Sequence, residues 1–321
     1  MGSSRSDPSP AAPMVDPPRT DPAPYVRLAR RHLPAIPFRT ARPVNRGWGC
    51  FVLEVDHEWI LRFPRTPKDA LRVEQEARLL AALDGRVPVP IPHYEQVVRS
   101  PRGRILFVVY PMLKGRPLPG RQLSGARGRT WATDLIGLLE ALQRFPRGLG
   151  RRLGVEWWRT ADAGARWRHL YPLIRRKVHP LLPAELVRRD RDYWETYMAE
   201  AKRSPPRTVL THGDLGAEHI LVDDRGISGV IDWESACFED PVGDVTLLPT
   251  ADGFADRVAE ARFGERDPDW RRRVAFHRHA VPVYSILYAL EHRDRPALRT
   301  HLVRYRRTLP PRREPALRGA G

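Results

Sequence analysis

The sequence predicts an α+β chain of two lobes: a small β-rich lobe, then a larger, mostly helical lobe that carries a β-hairpin. Three observations lead there. Short β-type runs crowd the stretch before residue 114, around a single helical pattern. Helical periodicity dominates after Gly115. One island of β character, residues 209–231, interrupts those helices. At 321 residues the chain has the length of about two domains.

Taken in order, residues 1–24 hold seven prolines and few apolar residues, and read as a disordered tail. The first lobe covers 25–114. Runs 50–55 and 59–63 have strand character, and the polar turn Asp56, His57, Glu58 joins them into a hairpin. Pro64 and Pro67 end the second strand. From 69 to 84 a helix is expected, with Val73, Ala77, Leu80 and Leu83 on one face. Residues 87–92 are too rich in proline for a helix, and 105–110 form a short buried strand interrupted by Pro111. The second lobe covers 115–309. Trp131, Leu135, Leu138, Leu139 and Leu142 recur at helical spacing, as do Phe276, Ala280, Val283, Leu287 and Leu290. Inside the island, 209–211, 220–222 and 227–231 are short apolar runs, and the turn 223–226 links the last two. Residues 310–321 read as a second disordered tail.

Composition narrows the function. The net charge is +17, but only four of the 55 basic residues are lysine (Lys68, Lys114, Lys177, Lys202). That arginine skew, together with 33 prolines, points to coding bias rather than to binding of a phosphate backbone. A basic surface still attracts polyanions, yet nucleic acid is not the expected partner. Two cysteines, Cys50 and Cys237, exclude a disulfide framework. The longest apolar stretches, 105–113 and 280–290, are well short of the roughly 18 residues of a membrane span. With no apolar signal core at the start, a cytoplasmic protein is expected. Oligomeric state is left open.

The island carries the chemistry. It reads His212, Gly213, Asp214, Leu215, then His219, then Ile231, Asp232, Trp233, Glu234. Asp214 follows a strand, and Asp232 ends the return strand of a hairpin, so the fold can bring both carboxylates to one point. Phosphoryl transfer needs that pairing: one carboxylate orients and deprotonates the attacking hydroxyl, and the other holds a divalent metal on the phosphate oxygens.

The ordered block from Thr211 to Asp244, with H-G-D-L, I-D-W-E and D-P-V-G-D, resembles the aminoglycoside and macrolide phosphotransferases, small-molecule kinases with a protein-kinase-like fold. The resemblance implies a bilobal fold, Mg²⁺, ATP or GTP as phosphoryl donor, and an antibiotic hydroxyl as acceptor. Asp214 then corresponds to the catalytic base and Asp232 to the metal ligand. His219 falls where many relatives carry asparagine as a second metal ligand. Imidazole suits softer metals than Mg²⁺, so His219 contacts phosphate, holds metal through water, or is structural. His212 is expected to order the loop, and Asp244 to brace it. In the first lobe, Arg62 stands where the family carries its phosphate-contacting lysine, and the family's pattern places its carboxylate partner at Glu76. Gly47 and Gly49 sit where the nucleotide loop sits. Residues 108–115 resemble the hinge that holds the purine, through the Pro111 carbonyl and the Leu113 amide. Tyr110 would guard the deep end of that pocket and favour guanine.

An ammonium-rich acceptor would need carboxylates, for which Glu234, Glu239, Asp240 and Glu291 are the candidates. A macrolide, with one amine and a large apolar face, suits the surrounding arginines better. The aromatic residues between 151 and 207, among them Trp157, Trp158, Trp167, Tyr171 and Trp194, fit helix packing better than sugar stacking. The alternatives are a kinase of a primary metabolite, such as an amino alcohol or sugar, and a non-catalytic nucleotide- or RNA-binding protein of the same fold.

Overall fold

A computed structural model describes residues 21–44, 49–155 and 164–310. In chain order the elements are α1 (Ala23–His32), β1 (Ala41–Pro43), β2 (Cys50–Val55), β3 (Trp59–Pro64), α2 (Pro67–Leu83), β4 (Gln96–Arg99), β5 (Ile105–Pro111), β6 (Arg116–Pro117), α3 (Gly125–Arg144), α4 (Arg147–Leu153), α5 (Ala165–Leu173), α6 (Ala184–Arg203), β7 (Val209–Thr211), β8 (Ile220–Val222), β9 (Ile227–Val230), β10 (Cys237–Glu239), α7 (Val242–Thr246), α8 (Phe254–Arg262), α9 (Trp270–Glu291) and α10 (Arg295–Thr308). The fold is mixed α+β, with a β-sheet N-terminal region and a helical C-terminal region. Contacts divide it into two compact units. One takes the described residues up to 155 together with 208–270; the other takes 164–207 and 271–310.

In the first unit, β1 to β5 form an antiparallel sheet of order β1-β2-β3-β5-β4. The β2–β3 hairpin turns at Asp56 and His57, both with left-handed φ (54° and 57°). Phe51, Leu53, Leu61, Phe63, Phe107 and Val109 build one face of the sheet into a core. The helix α1 closes that core with Ala29 and Leu33. Sequence reading anticipated one helix in this region, and α1 is a second. It starts at Ala23, inside the stretch read as tail, after Pro22 and with Asp21 accepting the Ala23 amide. Its run of arginines masks a narrow apolar stripe. The helix α2 starts at Pro67 behind a capping box formed by Thr66 and Asp69, two residues earlier than its apolar periodicity suggests.

The same unit holds the β island that interrupts the helices. β8 and β9 pair as the expected hairpin, with β6 at its edge. A strand that the sequence did not reveal, β10, pairs antiparallel with β7. The helix α3 braces the hairpin: Trp131 Nε1 donates to the Asp223 carbonyl (3.4 Å), and Asp134 accepts the Ile227 amide (2.9 Å).

The second unit is helical. Its core joins Trp167, Tyr171, Trp194, Tyr197, Phe276, Ala280, Val283 and Tyr305. These aromatics pack against one another, as the helix-packing reading expected; Tyr197 stacks on Phe276 at 3.5 Å. Trp157 and Trp158 lie outside the described residues.

Candidate active site

The site is built from β3, α2 and the island. Arg62 alternates inward on β3 and is buried. Its Nη1 donates to both carboxylate oxygens of Glu76 on α2, at 2.6 and 2.8 Å. Nη1 also reaches the Tyr94 hydroxyl at 3.2 Å. Nη2 points the other way, towards Asp232 (3.4 Å) and Glu234 (3.3 Å). Burial works against the charge on Arg62, but the carboxylates around it raise its pKa well above normal. Burial lifts the Glu76 carboxyl, with Arg62 opposing. Glu76 also accepts the backbone N–H of Trp233 at 3.2 Å, which ties α2 to the turn behind Asp232.

Asp214 sits in a loop held from behind. Asp244 accepts the N–H groups of His212 and Gly213, each at 2.9 Å, and so braces the loop as expected. Burial pushes the Asp244 carboxyl up to about 7 despite these bonds. His212 Nδ1 accepts the Asp214 N–H (3.3 Å), so its Nε2 donates to the Ile231 carbonyl (3.0 Å), linking the loop to the strand that delivers Asp232. That wiring requires a neutral ring, and burial lowers the pKa of His212 to about 3. Gly213 has φ +79°, and a Cβ there would lie 2.2 Å from the Ser235 carbonyl oxygen. Only glycine lets the loop press against the turn that follows Asp232.

Asp232 has φ 67° and ψ 62°, a left-handed conformation that is costly for a residue with a side chain. The strain re-aims the carboxylate at the end of the hairpin. His219 lies between the two acids. Its Nδ1 donates to the Asp214 carbonyl (2.8 Å) and faces Asp214 Oδ2 at 3.6 Å, while Nε2 faces Asp232 Oδ2 at 3.5 Å. Both carboxylates therefore converge on one imidazole. Burial opposes the charge of His219, but the two acids outweigh it and raise its pKa. Burial likewise opposes ionisation of Asp232, and Arg62 and His219 more than offset it, holding the carboxyl below its usual range.

The remaining expected residues fall as follows. Gly47 lies outside the described residues. Gly49 comes beside the cluster: a Cβ there would be 3.1 Å from Glu234. Pro111 ends β5, and Leu113 packs its side chain over Gly229 of the hairpin. Tyr110 is buried and stacks on Tyr94 at 5.3 Å. Of the acids offered for an ammonium-rich acceptor, three are engaged in the protein. Glu234 joins Arg62, and burial lifts its carboxyl to about 8. Asp240 accepts the Val242 amide at the start of α7. Glu239 is buried on β10, close against Gly243. Glu291 is exposed at the end of α9, in the helical unit. Sequence reasoning missed Tyr94 and the bond between Glu234 and Arg62. A hydroxyl beside a proline-rich run carries no periodic signal, although the acid two residues beyond Asp232 was visible.

Residues 40–276 match the phosphotransferase enzyme family. The chain belongs to that family. Viomycin phosphotransferase of Streptomyces vinaceus is 27% identical over 267 residues, covering 77% of this chain and 86% of that protein. The uncharacterized protein YcbJ of Bacillus subtilis (strain 168) is also 27% identical, over 207 residues; the match spans 61% of this phosphotransferase-family chain but only 63% of YcbJ. Among solved structures, the GDP and kanamycin complex of APH(2″)-IIIa shares the fold with TM-score 0.81 and 24% identity, over 88% of this chain and 97% of that one. Macrolide 2′-phosphotransferase MphH from Brachybacterium faecium aligns with TM-score 0.66 and 25% identity, over 91% and 99%. Among the described residues, no helix of this phosphotransferase is long and apolar enough to cross a membrane.

Proposed function

We propose that the protein is a nucleoside-triphosphate-dependent O-phosphotransferase of the cytoplasm. It phosphorylates a hydroxyl of a small-molecule antibiotic, of aminoglycoside or macrolide type, and so inactivates it. The convergence of Asp214 and Asp232 on the His219 ring supports this reading above all else. Residues 25–114 serve as the nucleotide-binding lobe and 115–309 as the catalytic and acceptor lobe.

Asp214 orients the acceptor hydroxyl and takes its proton. The hydroxyl oxygen bonds to the terminal phosphorus as the bridging P–O bond breaks, and a nucleoside diphosphate leaves. Arg62, held by Glu76, balances the phosphate charge. Gly49, the Pro111 carbonyl and the Leu113 amide hold the nucleotide. The donor chemistry suits Mg²⁺, which takes one or two carboxylates plus phosphate and water oxygens: the Asp232 carboxylate keeps 31% of its side-chain surface open. Asp232 would hold it, with His219 reaching it through water. Bound Mg²⁺ supplies charge neutralisation on the phosphates.

The buried Tyr110 ring supports GTP over ATP as donor. The engagement of Glu234, Glu239 and Asp240 inside the protein favours an acceptor with few ammonium groups, hence the macrolide variant. Nucleoside-diphosphate release is to be measured with each donor against aminoglycosides, macrolides, cyclic peptides, amino alcohols and sugars, with mass spectrometry for one added phosphate. Release with a macrolide and GTP is expected. Release only with amino alcohols or sugars would replace the antibiotic reading, and nucleotide binding without release would leave a non-catalytic binder.

A further inference from the structure

We propose that Tyr94 is a positioning residue whose phenol sets the plane of the Arg62 guanidinium, so that an arginine can act on the nucleotide phosphates where the family resemblance expects a lysine. The inference rests on the phosphotransferase reading of Arg62.

The two cations pose different problems. A lysine ammonium is a compact charge with freely rotating donors, and it needs only an anchor. A guanidinium is a rigid plane of five N–H donors, useful only when that plane is aimed. Glu76 does not aim it by itself. Both of its oxygens contact the same nitrogen, Nη1, rather than forking across two, so the contact is a pivot. Tyr94 supplies a second direction at Nη1 (3.2 Å) from a different part of the chain. With both directions taken, the plane is set and Nη2 faces Asp232 and Glu234.

The phenol is itself held. Its ring is stacked on Tyr110 at 5.3 Å with 29° between the planes. Tyr94 lies between the proline-rich residues 87–92 and β4, where the chain has little freedom. Tyr94→Phe keeps the ring that stacks on Tyr110 and removes only the hydroxyl that meets Arg62, so the effect of that change passes through Arg62.

The test is a four-protein cycle: wild type, Tyr94→Phe, Arg62→Lys and the double variant. Each is scored for nucleotide KM, kcat, calorimetric binding of a non-hydrolysable GTP or ATP analogue with Mg²⁺, and thermal midpoint. Tyr94→Phe should raise nucleotide KM and Kd about tenfold in the arginine background, with kcat changed less than threefold. In the lysine background the same change should cost less than twofold, since an ammonium has no plane to set. Tyr94→His, which can accept from Arg62 through a ring nitrogen, should recover most of the loss; it also stands in if the phenylalanine variant does not fold. Equal losses in both backgrounds would reduce Tyr94 to a packing role, and wild-type binding by Tyr94→Phe would overturn the proposal outright. Failure of the wild-type protein to bind either analogue would instead bring down the phosphotransferase reading, and this inference with it.

Discussion

Two polar clusters, one in each compact unit, each gather partners around one charged side chain and differ in how they are closed. In the helical unit, Asp190 on α6 accepts from His179 (2.8 Å), His279 on α9 (2.7 Å) and Tyr305 on α10 (2.7 Å). Its side chain is 0% exposed, and Trp194 backs the Tyr305 hydroxyl at 3.1 Å. Burial opposes the charge of Asp190, but its donors outweigh that and lower its pKa. Around Arg62 the geometry is lopsided. The Glu76 side is tight and dry, while the contacts to Asp232 and Glu234 are long, 3.3–3.4 Å, and those acids keep 31% and 20% of their side-chain surface. A carboxylate with three short donors has nothing left to offer a ligand. A cation with one firm and one loose side can exchange the loose partners for phosphate and keep its anchor. The first arrangement locks helices together, and the second leaves a side of Arg62 open to exchange, as the proposed phosphate contact requires.

The largest expected effect falls beside the Arg62 cluster, at Asp214, and leaves the Asp190 lock untouched. Asp214→Ala should lower kcat by about 10³-fold, through loss of the proton acceptor, and leave the unfolding midpoint nearly unchanged. Coupled-assay kinetics and a thermal melt decide it; near-normal turnover would remove Asp214 as the base. The next effect breaks the lock. Asp190→Asn leaves three buried donors short of an anionic acceptor and should destabilise the protein by about 3 kcal/mol in urea titrations. A midpoint equal to wild type would mean that the cluster holds nothing.

The smallest effect concerns the neutral His212 behind the working loop. A histidine with folded pKa near 3 and unfolded pKa near 6.5 binds more protons when unfolded throughout that window. Its contribution is therefore intact above about pH 6.5 and is lost as the pH falls towards 3. Asp244, lifted to about 7, has the opposite slope, so wild type alone shows a blend. The difference between wild type and His212→Gln isolates the histidine. It should change by about 1–2 kcal/mol between pH 6.5 and 5, against the wild type. A pH-independent difference would show that the ring takes up its proton as readily in the folded protein as in the unfolded chain.

Much of the candidate site's geometry was legible because the residues singled out for phosphoryl transfer lie close together along the chain. Asp214, His219 and Asp232 lie within one hairpin and its leading loop, and the structure brings them to one ring. Arg62 and Glu76, fourteen residues apart, are paired as the resemblance implied. The fold was legible where periodicity was strong, in α2, α3 and α9, and illegible in short pieces such as β1 and β10, whose three residues carry no period. The Asp190 cluster gave no local signal, since its members are scattered from 179 to 305.

The sequence by itself determined which groups this protein can use: the two acids, the histidine between them, the arginine in place of a lysine, and the glycine that lets their loop close. Those are matters of side-chain chemistry and local backbone freedom, which travel with the residues. Only the tertiary structure decided which acids are spent and which remain to act, because a carboxylate's ionisation depends on burial and on neighbours that are distant in the chain. Glu234 and Asp240 look alike in a string of letters. One lies against Arg62, 172 residues before it, and the other caps a turn two residues away.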